Sequence, residues 1–431
     1  MNRILAKEVK NYLGKEIMLK GWVHHIRALG KINFLILRDR SGIVQTIILD
    51  PKIDLSEIEK ESVVTIYGKV KEEKQAPNGV EVEVSKIELI EKAQTPLPFE
   101  VNRALELTNI KIDTILDHRP FSLRNLELAS VFRVQAEIVH AFADFMRKEG
   151  FLQIHTSKII SQGTEGGTNL FPVQYFEQKA YLAQSPQFYK QMMVGAGYER
   201  VFEIGFVYRA EDHATSRHIN EYLSLDFEMG FIESEQDVIN EEIELLKYIF
   251  NRLKENCAEE LKIHKVALPE IKSIPQIKFY DAVEIIKKKY NKPMPNPVDL
   301  DPEAERLICE YVKQEFDSDF VYITYYPQIS RPFYTMPAEN GLTKGFDLLY
   351  KGLEVTTGSQ RIHNYKMLVD NMIKFGLNPK DFEFYLEIFR YGMPPHGGLA
   401  IGTERLTQQI LNLKNIREAS LFPRDRYRLT P

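Results

Sequence analysis

Residues 206–231, FVYRAEDHATSRHINEYLSLDFEMGF, set Arg209, Glu211, Asp226 and Glu228 at the two-residue period of β-strands on either side of a polar, glycine-free loop. On the first strand Phe202, Ile204, Phe206 and Tyr208 fall on one face, and Glu203, Gly205, Arg209 and Glu211 on the other. On the return, Leu223, Leu225, Phe227 and Met229 oppose Tyr222, Ser224, Asp226 and Glu228. If the apolar faces pack on a helix, the charged faces form a single floor able to hold a charged ligand. A surface hairpin has the same alternation, so the pair alone leaves both readings open.

Three further segments add groups of the same kind. In LAQSPQFYKQMMVGAG, Ser185 suits a helix N-cap and Pro186 the first helical position, so Gln187 and Lys190 project from one face a turn apart. A lysine in such a place is ordinarily solvated. KGFDLLYKGLEVTTGSQRIH reads as a hairpin turning near Lys351–Gly352, with Asp347 opposite or diagonal to Glu354 and Thr357 close by. Like charges so placed repel unless a cation separates them, and oxygen ligands suit Mg²⁺ shared with substrate phosphates. A solvated hairpin neutralised by Lys351 fits as well. In PPHGGLAIGTERLTQQILNL a strand runs into a helix at Thr403–Arg405, which puts Arg405 where anions are favoured. SQGTEGGTNLF surrounds Glu165 with glycines, as in a loop able to close over a ligand or in a plain surface turn.

The elements that must position these groups are legible in outline. Residues 16–90 hold five short alternating or β-branched runs, with a weakly helical DLSEIEKE between the third and fourth. That is the pattern of a five-stranded oligonucleotide/oligosaccharide-binding (OB) barrel. QTPLPFE breaks the pattern, giving an N-terminal barrel over 1–98, a hinge over 99–126 and a second domain over 127–431. The second domain opens with a long amphipathic helix, and its strands and helices mix without a βαβ rhythm, so the fold class is α+β with an antiparallel sheet flanked by helices. No GxxxxGK[ST] phosphate loop occurs.

With 431 residues, 44% of them hydrophobic, the chain can bury a sizeable core in two or three domains. Cys257 and Cys309 stand apart without a CxxC, which supports neither a disulfide framework nor a zinc site. No apolar run approaches the roughly 18 to 20 residues needed to span a bilayer, and Met1–Lys10 lacks a secretory apolar stretch, so a cytoplasmic protein without a membrane role is expected. The net charge of −5 speaks against non-specific nucleic-acid binding, although the first hundred residues are nearly neutral, with 16 Lys+Arg against 15 Asp+Glu.

Taken together, the barrel, the long helix, FVYRAE…RHINEYLSLDFEM, GGLAIGTER, TEGGT, QSPQFYKQ, FRYGMPPHGG and the terminal LFPRDRYRLTP resemble the class II aminoacyl-tRNA synthetases. Within them the chain is similar to the aspartyl-tRNA synthetases of archaeal type, without the large insertion of the bacterial type. The resemblance implies that Arg209 binds the ATP α-phosphate and the substrate carboxylate, and that Arg405 contacts the γ-phosphate and stacks on adenine opposite Tyr222. It implies Arg217 and His218 at the outer phosphates, Glu211 in the ATP set, and Mg²⁺ on Asp347, Glu354 and Thr357. Lys190 and Arg361 would receive the aspartate side chain, Asp226 and Glu165 the amino group, with Ser185 and Gln187 completing the pocket. An asparaginyl relative is disfavoured by Lys190, and a non-charging tRNA-binding paralogue by the retained Arg209, Arg405, Asp347 and Glu354.

For the barrel the resemblance implies anticodon binding, with Phe34 stacking on a base and Gln45 reading the central one. His24 and Pro77 match the pair found in relaxed members, which aspartylate both tRNA(Asp) and tRNA(Asn) and leave amidation to a partner amidotransferase. A homodimer is implied as well, although Ser157 stands in IHTSKII where the family's first motif normally has proline.

Overall fold

The computed structural model describes residues 2–29, 32–105, 109–163, 169–212 and 215–431. The chain divides into two units, Met1–Leu126 and Glu127–Pro431. In the first, the alternating runs form β1 (Glu16–Leu29), β2 (Ile32–Asp39), β3 (Gly42–Ile48), β4 (Val63–Glu72) and β5 (Val80–Glu91). They close into a barrel in the order β1-β2-β3-β5-β4, filled by residues such as Val23, Leu35, Val44 and Ile66. DLSEIEKE forms turns instead of the expected helix. The Asp54 carboxylate accepts both the backbone N–H and the hydroxyl of Ser56, a local bonding pattern that competes with helical hydrogen bonds. Residues 99–126 hold two short helices, Ile112–Asp117 and Arg119–Ser122.

The second unit is built on an eight-stranded sheet. Its strands are β6 (Leu152–Gln153), β10 (Arg200–Tyr208), β11 (Glu221–Gly230), β12 (Gln276–Lys278), β13 (Phe320–Thr324), β14 (Gly345–Tyr350), β15 (Leu353–Arg361) and β16 (His396–Gly402). A separate small sheet is formed by β7 (Ile159–Ile160), β8 (Pro172–Tyr175) and β9 (Gln178–Leu182). The large sheet runs β12-β13-β14-β15-β16-β11-β10-β6 and is antiparallel except for the outermost pair at each edge. The long helices α1 (Leu126–Lys148) and α3 (Glu235–Asn256) cover one face, where Ile138, Phe142 and Phe250 share a core with Phe202, Leu225, Phe227 and Leu399. The apolar face read from the hairpin is thus the helix-packed face, except that Phe206 lies 49% exposed. Burying that face turns the charged one toward the opposite side of the sheet.

Three smaller helices matter to the site: α2 (Gln187–Met193), α5 (Pro302–Phe316) and α6 (Thr403–Leu411), with α4 (Phe279–Tyr290) packed beside α5. α2 begins one residue later than the sequence suggests, with Pro186 at the N-cap, although Ser185 Oγ still accepts the Gln187 N–H at 3.2 Å. The β14–β15 hairpin turns on Lys351 and Gly352, both with positive φ. A bulge at Val355 adds one residue to β15, so Asp347 lies opposite Thr357 while Glu354 lies opposite Leu349. The extra residue brings Glu354 and Thr357, three apart, onto the same cavity.

Candidate active site

The charged sheet face floors a cavity lined by Ser185, Gln187, Arg209, Glu211, Arg217, His218, Tyr222, Asp226, Asp347, Glu354, Thr357, Arg361 and Arg405. Of the remaining residues singled out in this unit, Glu165 lies outside the described residues. Lys190 departs from the solvated lysine that its helix spacing alone suggests. It is neither a solvated helix lysine nor part of the cavity wall, but is wholly buried behind it. Its Nζ donates to Asp226 Oδ1 at 2.9 Å and to the Leu399 and Phe227 carbonyls at 3.0 and 3.4 Å, and Glu228 Oε2 is 3.6 Å away. An ammonium so deep is tolerable only when its donors meet acceptors, and the two carboxylates of β11 draw it under the floor.

At one end of the cavity Arg361 is fixed from several sides. Its Nε and Nη2 reach the two Glu228 oxygens at 2.8 and 3.2 Å. Nη2 also donates to the Gly398 carbonyl at 2.9 Å and Gln187 Oε1 at 3.2 Å, and Nη1 to Ser359 Oγ at 2.6 Å. Burial works against the Glu228 charge, but Arg361 and Lys190 outweigh it and hold the carboxyl below its usual range. Gly398 makes the geometry possible, since a Cβ there would collide with the Phe227 carbonyl and the Glu228 carboxylate. Beside Glu228 the buried His396 donates from Nδ1 to the Pro394 carbonyl and accepts the Gln191 amide at Nε2, and burial lowers its pKa to about 4.

At the other end stand Arg209, whose guanidinium lies 5.9 Å from the Tyr222 ring centre, and Arg405, which donates to the Glu354 carbonyl at 3.0 Å and lies 3.4 Å from its Oε1. Burial pushes the Glu354 carboxyl up, Arg405 pulls it down, and Asp347 adds repulsion. His218 Nε2 is 3.8 Å from Glu211 Oε2. Glu404 accepts the Leu223 N–H at the start of α6, and burial raises its carboxyl to about 8.

The cation expected between Asp347 and Glu354 is supplied on the Asp347 side by the chain itself. Arg331 binds both Asp347 oxygens, and the Thr357 hydroxyl donates to Oδ1. Asp347 thus has a cationic partner in the chain, yet its charge still pushes the Glu354 carboxyl up. Among the described residues no group of three or more His, Cys, Asp or Glu is arranged to hold a metal alone. Asp347, Glu354 and Thr357 fit a Mg²⁺ that takes its remaining ligands from phosphates and water. Arg331 and Glu228 are the chief residues the sequence reading left without a role. Glu228 was visible in the alternation, whereas SRPFY carries no periodic signal that would single out Arg331.

In the barrel unit a groove is lined by His25, Arg27, Phe34, Gln45, Gln75 and Glu81 among others. Phe34 lines the groove, not the core, and Gln45 Nε2 donates to Glu81 Oε2 at 2.9 Å. His24 and Pro77 are not on the groove wall. A bulge between Val23 and His25 gives the groove to His25 and turns His24 to Arg38, whose Nη1 lies 3.1 Å from its Nδ1 and which grips Glu61. Burial and Arg38 lower the His24 pKa to about 4. Pro77 opens a single turn, Pro77–Gly79, before β5.

A barrel with such a groove, joined in one chain to an antiparallel sheet carrying a cavity of arginines and carboxylates, is the architecture of a class II synthetase. Residues 111–426 match the family described as tRNA synthetases class II (D, K and N), and residues 17–90 match the OB-fold nucleic acid binding domain. The chain belongs to the class II tRNA synthetases. It is 47% identical to the aspartate–tRNA(Asp/Asn) ligase of Deinococcus radiodurans, over 100% of this chain and 99% of that protein. It is 43% identical to the aspartate–tRNA(Asp) ligase of Pyrococcus abyssi, over 97% of each. The structure of Pyrococcus horikoshii asparaginyl-tRNA synthetase complexed with asparaginyl-adenylate superposes with a TM-score of 0.93 at 30% identity, over the whole of both chains.

Proposed function

We propose that this chain is an aspartate–tRNA ligase that activates aspartate with ATP and esterifies both tRNA(Asp) and tRNA(Asn). The observation that carries the reading is one cavity with Arg361, gripped by Glu228, at one end and Arg209, Arg217 and Arg405 at the other. The first end suits a second carboxylate and the other a triphosphate.

In this reading Arg361 receives the aspartate side-chain carboxylate while Lys190 acts through Asp226, which it holds in place to accept the α-amino group. Gln187 and Ser185 close the pocket, with Glu165 the second acceptor for the amine. Arg209 binds the α-carboxylate and the α-phosphate. Adenine lies between Arg405 and Tyr222, and Arg217, His218 and Glu211 meet the rest of ATP. Asp347, Glu354 and Thr357 are the groups that would hold Mg²⁺, which when bound would act as a Lewis acid toward the phosphate oxygens.

The α-carboxylate is ionised near neutral pH and needs no base to attack. Its oxygen bonds to the α-phosphorus as the bond to pyrophosphate breaks, and Arg209 stabilises the charge that gathers there. The tRNA 3′-hydroxyl oxygen then attacks the aspartyl carbonyl, AMP departs with the anhydride electrons, and the hydroxyl proton is released. Holding the reactants in line is the main contribution of the protein.

Phe34, Gln45 and the groove around them take the anticodon, since unstacked bases need an aromatic platform and polar edges. His24 and Pro77 lie off that groove, so their relaxed pairing would act through the shape of its margin. The aspartyl-tRNA(Asn) so made requires a partner amidotransferase. The exposed Leu152, Ile159 and Phe206 suit a homodimer interface. No helix among the described residues is long and apolar enough to cross a membrane, and we place the enzyme in the cytoplasm with its tRNA substrates.

Charging of separate tRNA(Asp) and tRNA(Asn) transcripts with aspartate tests the reading. Comparable aspartylation of both is expected. Charging of tRNA(Asp) alone would sink the relaxed specificity, and charging with asparagine in preference would sink the aspartyl assignment.

A further inference from the structure

One buried carboxylate beside the cavity has no task in this mechanism. Glu305 lies in the first turn of α5, buried, and 88 residues from the loop arginine it binds. Its Oε2 accepts from Arg217 Nη2 and from the backbone N–H of Glu354 at 3.3 Å. The same Glu354 holds Arg405 through its carbonyl and its carboxylate. A single oxygen thus ties together the β10–β11 loop, the start of β15 and, through Glu354, the arginine of α6.

We infer that Glu305 is a positioning residue for ATP, fixing Arg217 and the start of β15 so that Arg217 and Arg405 stand ready for the outer phosphates. The inference deepens the proposed activity and rests on it. A guanidinium has five donors in a planar fork, so one N–H given to Glu305 leaves others for phosphate. A long side chain already held in place loses less freedom when the ligand arrives. The carboxylate is retained where burial disfavours it, pushing its carboxyl up to about 7 even with Arg217 opposing, which fits a group kept for what it holds.

The test is aspartate-dependent ATP–pyrophosphate exchange by the full-length protein and its variants Glu305→Gln, Glu305→Asp, Arg217→Ala and the double variant Arg217→Ala/Glu305→Gln. Glu305→Gln is expected to raise KM for ATP about fivefold or more while KM for aspartate stays within about twofold, and to add distinctly less once Arg217 is alanine. Glu305→Asp, which keeps the charge, should recover part of the loss. An unchanged KM for ATP, a parallel rise in both KM values, or full additivity in the double variant would overturn the inference. Should Glu305→Gln fail to fold, Glu305→Asp decides by the same split between the two KM values. Absence of exchange by the wild type would sink the proposed activity and the inference with it, whereas exchange that Glu305→Gln leaves untouched sinks the inference alone.

Discussion

Arg331 grips Asp347 through two parallel bonds, Nη1 to Oδ1 at 2.8 Å and Nη2 to Oδ2 at 2.5 Å, with its guanidinium 3.7 Å from the Tyr326 ring centre. Both partners are buried. Burial works against the guanidinium charge, and Asp347 reverses the balance and holds the proton on. Removing one partner leaves the other as an uncompensated buried charge. Arg331→Met should therefore lose about 3–5 kcal/mol of unfolding free energy in urea. Arg331→Met combined with Asp347→Asn should recover much of that, and a single-variant loss near zero would mean that the pair is solvated.

Arg361 meets Glu228, Gln187, Ser359 and the Gly398 carbonyl at once, an arrangement only a planar fork can fill. Arg361→Lys should cut kcat/KM for aspartate in pyrophosphate exchange by on the order of 10³, because a site built to pair a group rejects what cannot pair. KM for ATP should stay near the wild-type value. A variant that keeps aspartate activation would remove Arg361 from the amino-acid pocket.

His396 gives a pH signature. Its folded pKa of about 4 lies below the ordinary 6.5, so the unfolded chain takes up a proton that the folded one resists. The stabilisation is complete above pH 6.5 and lost as the pH falls toward 4, by about 3 kcal/mol at most. Glu404 and Glu242, raised by burial to about 8 and about 7, run the other way, losing stability as the pH rises from about 4.5 through those values. The raw stability curve mixes these signs, and the difference between wild type and His396→Gln isolates one of them. That difference should shift in favour of the variant between pH 7 and pH 4, and a flat difference would show that His396 titrates normally.

Phe34 lines the barrel groove beside Gln45. Phe34→Ala should raise KM for tRNA by roughly 5- to 150-fold, the loss of about 1–3 kcal/mol of stacking on a base. Pyrophosphate exchange, which needs no tRNA, should not change. An equal effect on exchange would mean that the substitution had damaged the fold.

The two-residue alternation around 206–231 made the floor legible, because the helix-packed residues declare the opposite face by elimination. The Lys351–Gly352 turn was legible for a local reason as well, since glycine adopts positive φ at no steric cost. The Val355 bulge was not, since one added residue leaves the surrounding β-branched pattern intact while it changes which groups share a cavity. The depth of Lys190 was not legible, because helix spacing fixes the direction of a side chain but not how far carboxylates from another element will draw it in. Arg331 and Glu305 stayed hidden for the same reason, their partners being remote in sequence. The turn of His24 away from the groove was hidden because it depends on a strand irregularity of one residue.

Gly398 contributes only its backbone, yet two adjacent strands and an ion pair close over the space a side chain would fill. Any larger residue must push β16 away from β11 or turn the Glu228 carboxylate aside, and the guanidinium clasped by that carboxylate would turn with it. The orientation of Arg361 is thus set by the spacing of the sheet, at a position that no inventory of reactive groups would include.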